Sequence, residues 1–410
     1  MTPMRPVAIV GMGCIASPGA TLDDCLTALY AGRRQPVAPT RFDPGIPLNY
    51  PVFEVADSHL KPGPGGRPLP RTVALALTAA HEAMGDAAIP SAHLDSTRMG
   101  VCLGTNVGGS VANEQLCCGA PAAAPPSSQE RFTISNPTGA LMRTFGCQGP
   151  FQTVVNACSA GNDAIGIAAG WVASGLCDLV LAGGADELYQ VTYRGFRALF
   201  INADAPCRPF DRRRKGLNLG EGAAIVVLAS EPLCEKARLA PRGYVLGYGT
   251  AADADHFTQP RSDGLGLRRA QADALSQSGL PAEAVTFINA HGTGTQGNDL
   301  AESKVFAQDF PAAPFLSTKG YTGHTLGAAG PVEAVFSLAF LERQLLPATA
   351  GFEIPDPDLP AAPTAANTPI RGEVALSETL AFGGSNSVLI LGRGEGRSRG
   401  ETTGRLEAGA

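Results

Sequence analysis

Residues 153–171 read TVVNACSAGNDAIGIAAGW. Thr153, Val154 and Val155 form a β-branched run, which favours a strand. From Ser159 the pattern changes, and Ile165, Ala168 and Val172 fall on one helical stripe. Cys158 stands at the joint. A residue there lies at the positive end of the helix dipole, beside backbone N–H groups with no intrahelical partner. That setting is expected to lower the thiol pKa and favour the nucleophilic thiolate. The same N–H groups can hold a developing oxyanion. Ala157, Ser159, Ala160 and Gly161 are small and leave room for a substrate. A buried structural cysteine is the bland reading of the same residues.

Outward from this unit, strand-like runs alternate with helical ones. VAIVG (7–11), GVCLG (100–104), DLVLAGG (178–184), AAIVVLA (223–229), VTFINAHG (285–292), PFLSTK (314–319) and SVLILG (387–392) read as strands. Amphipathic stretches lie between them at 71–88, 159–174, 267–278 and 331–345. The alternation predicts an α/β fold with mainly parallel central sheets. Strand–glycine turns echo one another, IVGMG (9–13) with VLGYG (245–249) and CLGTN (102–106) with INAHG (288–292). The echo suggests two similar halves, 1–240 and 241–393, joined near Pro241-Arg242-Gly243. GAPAAAPPSSQE (119–130) reads as a surface loop, and 394–410 as a disordered polar tail.

The chain has 410 residues, 44% of them hydrophobic, enough for a large core or two fused ones. A formal charge of −6 argues against nucleic-acid binding. Ten cysteines contain no C-x-x-C pair and no zinc spacing, so reduced thiols, a cytoplasmic location and no metal centre are expected. No run of 18 apolar residues suggests a membrane span. The apolar stretch Val7–Ala16 contains two glycines and reads as a first strand rather than a signal peptide.

Gly11-Met12-Gly13-Cys14-Ile15-Ala16 matches the G-x-G-x-x-A of dinucleotide sites. Pro18 and Gly19 break the helix that such a site needs, so the match reads as a decoy. Three other stretches carry chemistry. In INAHGTGTQGNDLAES (288–303), His291 opens a glycine–threonine turn. Thr293 and Thr295, two apart, point the same way in extended backbone, and Asp299 and Glu302 start a helix. In STKGYTGHTLGAAGPVEA (317–334), Lys319 and His324 share a glycine-rich loop, and a buried Lys319 would need a carboxylate or a hydrogen-bond network. In LAFGGSNSVLILG (380–392), Gly383-Gly384 after Phe382 makes a turn whose N–H groups can approach a ligand. All these groups sit at strand ends, where α/β folds place their sites.

Taken in order, NACSAG, NAHGTGTQGND, STKGYTGHTLGAAG and AFGGSN resemble the elongating, Cys-His-His type of β-ketoacyl-acyl-carrier-protein synthase. RPFDRRRKGLNLGEGAA (208–224) resembles a further family segment, and the likeness runs from about residue 5 to 393. It implies a thiolase-like αβαβα five-layered sandwich and a decarboxylative condensation on malonyl-carrier protein. It assigns the nucleophile to Cys158, the catalytic histidines to His291 and His324, and the supporting lysine to Lys319. Glu302 and Asp299 would order this network. Thr293 and Thr295 would bind pantetheine. Phe382, with Gly383, would form the gate and share an oxyanion hole with Cys158. Val107 and Phe196 would line the acyl pocket. Arg71, Arg131 and Arg197 would dock the carrier protein, and Arg212–Lys215 offer a further basic cluster.

No cofactor beyond the carrier's phosphopantetheine is implied. Ser377-Glu378, with Asn289 and Glu333, leave room for a structural monovalent cation. The partners implied are an acyl carrier protein and a second subunit, identical or a chain-length-factor-like relative. Fatty-acid and type II polyketide or polyene pathways share this residue set. The alternative is a non-catalytic chain-length-factor-like subunit, but such subunits lack the nucleophilic cysteine. A thiolase would need a cysteine near the C-terminus, and none follows Cys234. The initiating synthases carry Asn where this chain has His324.

Overall fold

The computed structural model describes residues 4–44, 50–61, 69–94, 97–111 and 136–394. The loop at 119–130, Arg131 and the tail from 395 lie outside the described residues. Helices longer than one turn are α1 (Leu22–Tyr30), α2 (Arg71–Ala87), α3 (Pro137–Phe145), α4 (Ala160–Ala173), α5 (Gln190–Ala198), α6 (Glu231–Ala237), α7 (Leu265–Ser278), α8 (Gln296–Asp309) and α9 (Ala329–Arg343). Strands are β1 (Val7–Ala16), β2 (Met99–Gly104), β3 (Phe151–Val154), β4 (Leu179–Asp186), β5 (Gly222–Ala229) and β6 (Gly243–Ala252), then β7 (Phe287–Asn289), β8 (Phe315–Leu316), β9 (Leu345–Leu346), β10 (Thr368–Pro369), β11 (Val374–Ala381) and β12 (Ser385–Arg393).

Ten strands run in the order β3-β2-β4-β5-β1-β6-β12-β11-β7-β8. β1 and β6 pair over a short seam, Val7↔Val245 to Ile9↔Gly243. That seam divides the strands into two five-stranded sheets, β1–β5 and then β6 with β7, β8, β11 and β12, and outward from it each follows one plan: the first, fifth, fourth, second and third strand of its own set. The expectation of mainly parallel sheets needs correction. β2–β3, β2–β4, β7–β8 and β7–β11 are parallel, whereas β1–β5, β4–β5, β6–β12 and β11–β12 are antiparallel. The cause is visible at β11–β12, where the three-residue turn Phe382–Gly384 is too short for a parallel crossover.

Three apolar clusters define five layers. Met12, Val180 and Leu389, from one face of the two sheets, meet Ile165 of α4 and Val335 of α9. The other face of the first sheet, including Val10 and Leu103, packs on Leu75 of α2 and Leu141 of α3. The other face of the second, including Ile288 and Leu376, packs on Leu267 of α7 and Val305 of α8. α9 is buried from Ala329 to Leu341, as its nearly all-round apolar sequence requires. No helix among the described residues is long and apolar enough to cross a membrane.

The G-x-G-x-x-A match is explained by packing. β1 runs unbroken through it. A Cβ on Gly11 would lie 2.2 Å from the Ala83 carbonyl oxygen, and one on Gly13 would lie 2.1 Å from that of Ala79. The glycines let α2 lie directly on the strand.

Candidate active site

β3 ends at Val154 and α4 begins at Ala160, so Cys158 does stand at a strand–helix joint. The turn is strained: Ala157 has φ +45°, in the left-handed region that side chains avoid. Asn106 Nδ2 donates to the Ala157 carbonyl at 3.0 Å and helps to fix it. Cys158, His291 and His324 place ligand-capable atoms within 4.8 Å of one another, all buried. A soft cation could match that donor set, but each group has a hydrogen-bonding role given below. These three residues, with Thr293, Thr295, Phe196 and Phe382, line one cavity of about 440 Å³.

The Cys158 thiol corrects one expectation. Burial pushes it up to about 12, and the Lys319 charge and the Phe382 N–H pull only partly the other way. At this buried position, desolvation of the thiolate outweighs the stabilisation expected at the helix start.

Lys319 is buried, as its place after β8 suggested. Its Nζ donates to Glu333 Oε1 at 2.5 Å and to the His291 carbonyl at 2.5 Å, and lies 3.1 Å from His291 Nδ1. An ammonium only donates, so His291 Nδ1 must accept and the ring proton sits on Nε2. The Leu326 N–H donates to His324 Nδ1 at 3.2 Å, which fixes the same tautomer there. Both rings therefore present an Nε2–H. Burial, with the nearby Lys319 charge, holds both well below the usual histidine range, so they are neutral.

Glu302 accepts from the His291 N–H at 2.6 Å, the Gly292 N–H at 2.8 Å and Asn298 Nδ2 at 2.6 Å. Burial and the neighbouring Glu378 and Asp299 carboxyls push its pKa up. Glu378 is itself buried, and burial pushes its carboxyl up to about 7. Asp299 holds the next turn through the Gly294 and Phe210 N–H groups at 3.1 and 2.7 Å. The Thr293 and Thr295 hydroxyls lie 2.9 Å apart, as their spacing suggested. Phe382 stacks on Phe196, with ring centroids 5.3 Å apart. Gly383 and Gly384 have φ +89° and +76°, which this turn needs.

Several assignments fare differently. Arg71 is not free to dock a partner. It bonds Glu221 Oε1 at 2.6 Å and Asp57 at 2.6 Å, with its side chain only 11% exposed. Arg214 is buried between Asp299 and Asp356, and Arg213 pairs with Glu353. A charge run cannot reveal that its middle member points inward. Arg197 is half-buried on α5. Arg131 lies outside the described residues. Val107 shares an apolar cluster with Phe196 but lines a separate cleft, with Asn106 and Val155. Sequence reasoning missed Glu333 as the partner of Lys319; a lone acid in the apolar run PVEAVFSLAFL was its signal. It also missed Asp186, which accepts from Thr105 Oγ1 and the Val107 and Gly327 N–H groups, fixing the loops beside the site.

For a cation, Asn289 Oδ1, Glu333 Oε2 and Ser377 Oγ are buried oxygens without a hydrogen-bond partner, a donor set that fits an oxygen-liganded ion. The Glu378 side chain points to the opposite face of β11, where it accepts from Gln271 Nε2 at 2.8 Å.

Residues 69–232 match the family model "Beta-ketoacyl synthase, N-terminal domain", and 242–353 match its C-terminal counterpart. The 3-oxoacyl-[acyl-carrier-protein] synthase 2 of Synechocystis sp. is 34% identical over 94% of this chain and 98% of its own length. A putative polyketide beta-ketoacyl synthase 1 of Streptomyces cyaneus is 34% identical over 96% of this chain and 100% of its own. Among solved structures, the ishigamide ketosynthase/chain length factor superposes with TM-score 0.84 at 30% identity, covering 95% of this chain and 99% of that one. A beta-ketoacyl synthase from Burkholderia phymatum gives 0.83 at 30% identity, covering 95% and 100%. Their fold is the thiolase-like sandwich seen here. The chain is a member of the β-ketoacyl synthase family.

Proposed function

We propose that this protein is a β-ketoacyl-acyl-carrier-protein synthase working by decarboxylative condensation, in fatty-acid or type II polyketide synthesis. The observation that carries the reading is a pair of neutral histidines, each held with its proton on Nε2, beside a cysteine at a helix start. Such a pair suits an enolate oxygen, which needs donors and no proton transfer.

In the first step Cys158 Sγ attacks the thioester carbonyl of an acyl-carrier protein. The Cys158 and Phe382 N–H groups hold the oxyanion. The pantetheine thiolate leaves, and the proton lost from Sγ ends on that thiol. Neither ring takes it, because each Nδ1 is occupied and each Nε2 is already protonated. In the second step malonyl-carrier protein binds along Thr293 and Thr295. Its carboxylate leaves as CO2 while both Nε2–H groups hold the enolate oxygen. The enolate carbon attacks the acyl-Cys158 carbonyl, and Cys158 departs as thiolate and is reprotonated. The β-ketoacyl product is two carbons longer. Lys319 and Glu333 hold the His291 tautomer, and Glu302 holds its backbone. The substrate-bearing phosphopantetheine comes with the carrier, and no further cofactor enters a step. A cation held by Asn289, Glu333 and Ser377 would only brace β7, β11 and α9.

Residues 1–240 and 241–393 are proposed as the two repeated halves, a division supported by the strand order. A second subunit is proposed to cover the edge strand β3, where Phe151 on the strand and Val155 just after it are 64% and 70% exposed. A relative solved as a ketosynthase with its chain length factor supports that reading. Carrier docking through Arg197 remains a proposal, as does the cytoplasmic location.

The test is His324→Ala. The variant should still take an acyl group on Cys158 but release little CO2 from malonyl-carrier protein. A folded variant that cannot be acylated would count against this division of roles.

A further inference from the structure

The two oxyanion donors belong to separate parts of the chain. Cys158 is on the β3–α4 turn, and Phe382 is on the β11–β12 turn, more than 200 residues away. No local backbone fixes their separation. The Phe382 turn is itself soft, since Gly383 and Gly384 follow it. The Cys158 turn is strained at Ala157 and needs an external hold.

Ser385 closes the Phe382 turn and faces Ala381 in the β11–β12 register. Asn156 Nδ2 donates to Ser385 Oγ at 3.0 Å and to Asp163 Oδ2 at 2.7 Å. Ser159 Oγ lies 2.9 Å from Asp163 Oδ2 and 3.4 Å from Ser385 Oγ. Asp163, in the first turn of α4, also receives Tyr248 OH at 2.9 Å from β6. Gly166 makes room for that ring, because an added Cβ would sit 2.2 Å from the Tyr248 Cγ. Besides the Phe382 N–H on the Cys158 thiol, the side-chain hydrogen bonds that join 156–159 to 381–386 among the described residues end on Ser385 Oγ.

We propose that Ser385 is a positioning residue whose hydroxyl clasps the gate turn to the nucleophile turn and sets the spacing of the Cys158 and Phe382 N–H donors. This rests on Cys158 and Phe382 acting as proposed above. Losing one oxyanion donor typically costs 10²- to 10³-fold in rate, and a misplacement of about 1 Å costs up to ~10²-fold. Without the clasp, acyl transfer should slow while the thiol itself stays reactive.

The experiment uses Ser385→Ala and Ser385→Thr in the full chain. Cys158 loading is followed by intact mass with the acyl-pantetheine that loads the wild-type protein fastest. Cys158 alkylation by iodoacetamide is followed in parallel, because displacement of iodide needs no oxyanion hole. Ser385→Ala should load at least tenfold more slowly at saturating donor, with KM within about twofold. Its alkylation should stay within about twofold of wild type. Ser385→Thr, which keeps the hydroxyl, should load within about threefold of wild type. Normal loading in Ser385→Ala overturns the proposal. So does a parallel loss of loading and alkylation, or failure of threonine to rescue. If the wild-type protein alkylates at Cys158 but loads with no acyl donor, the proposed function fails and this inference falls with it.

Discussion

Glu302→Gln keeps the shape of the side chain and replaces one carboxyl oxygen by an –NH2. The carboxyl is buried, and three N–H donors converge on it at 2.6–2.8 Å. A glutamine offers one oxygen, so its –NH2 must face a backbone N–H. One buried donor is then unmet, at about 1–3 kcal/mol. Relief from no longer burying a carboxyl crowded by Glu378 and Asp299 offsets part of this. The net loss should be about 1–2 kcal/mol by denaturant unfolding. The His291 backbone moves with its lost anchor, which displaces its Nε2–H. Decarboxylation of malonyl-carrier protein should fall by at least ~10²-fold, since a shift of about 1 Å has that effect. Acyl loading of Cys158 should change less than tenfold. A glutamine variant with wild-type stability and wild-type decarboxylation would refute the assigned role.

Three further outcomes follow from the same geometry. In ¹³C-histidine spectra, the His291 and His324 rings should show no titration between pH 8 and 6.5, because burial holds both well below the usual value. Their contribution to stability is therefore present above about pH 6.5 and lost as pH falls; a midpoint near 6.5 for either ring would contradict neutral, buried donors. Arg71→Ala should destabilise the fold by about 3 kcal/mol, because Glu221 loses its buried partner. Carrier-protein affinity should be unchanged, and a weakened complex from a stable variant would restore the docking role. Gly13→Ala should cost about 2–4 kcal/mol by pushing α2 off β1; an unchanged unfolding midpoint would show that the contact is not tight.

Much of the site was legible because its groups cluster in four short motifs at strand ends. Their order carried more than any single residue, and the structure brings Cys158, His291, His324 and Lys319 together. Electrostatic detail was not legible. The helix-start argument for Cys158 took account of local dipoles but not of enclosure by the second half of the chain, which dominates. The same limit explains Arg71 and Arg214, whose partners Glu221 and Asp356 are more than a hundred residues distant. The α/β class followed from periodicity. Strand direction did not, because alternation of strands and helices says little about hairpins such as β11–β12. Gly11 and Gly13 imitate a nucleotide loop because close helix packing and close ligand approach both require a missing Cβ.

The central claim is tested most directly by intact-protein mass spectrometry of the wild-type protein and Cys158→Ser. Each is mixed with a panel of acyl-carrier proteins, and malonyl-carrier protein is added second. The account predicts one acyl adduct on Cys158, none on Cys158→Ser, and then a carrier-bound β-ketoacyl product two carbons longer. An adduct on another cysteine, or no adduct with any primer, would contradict it.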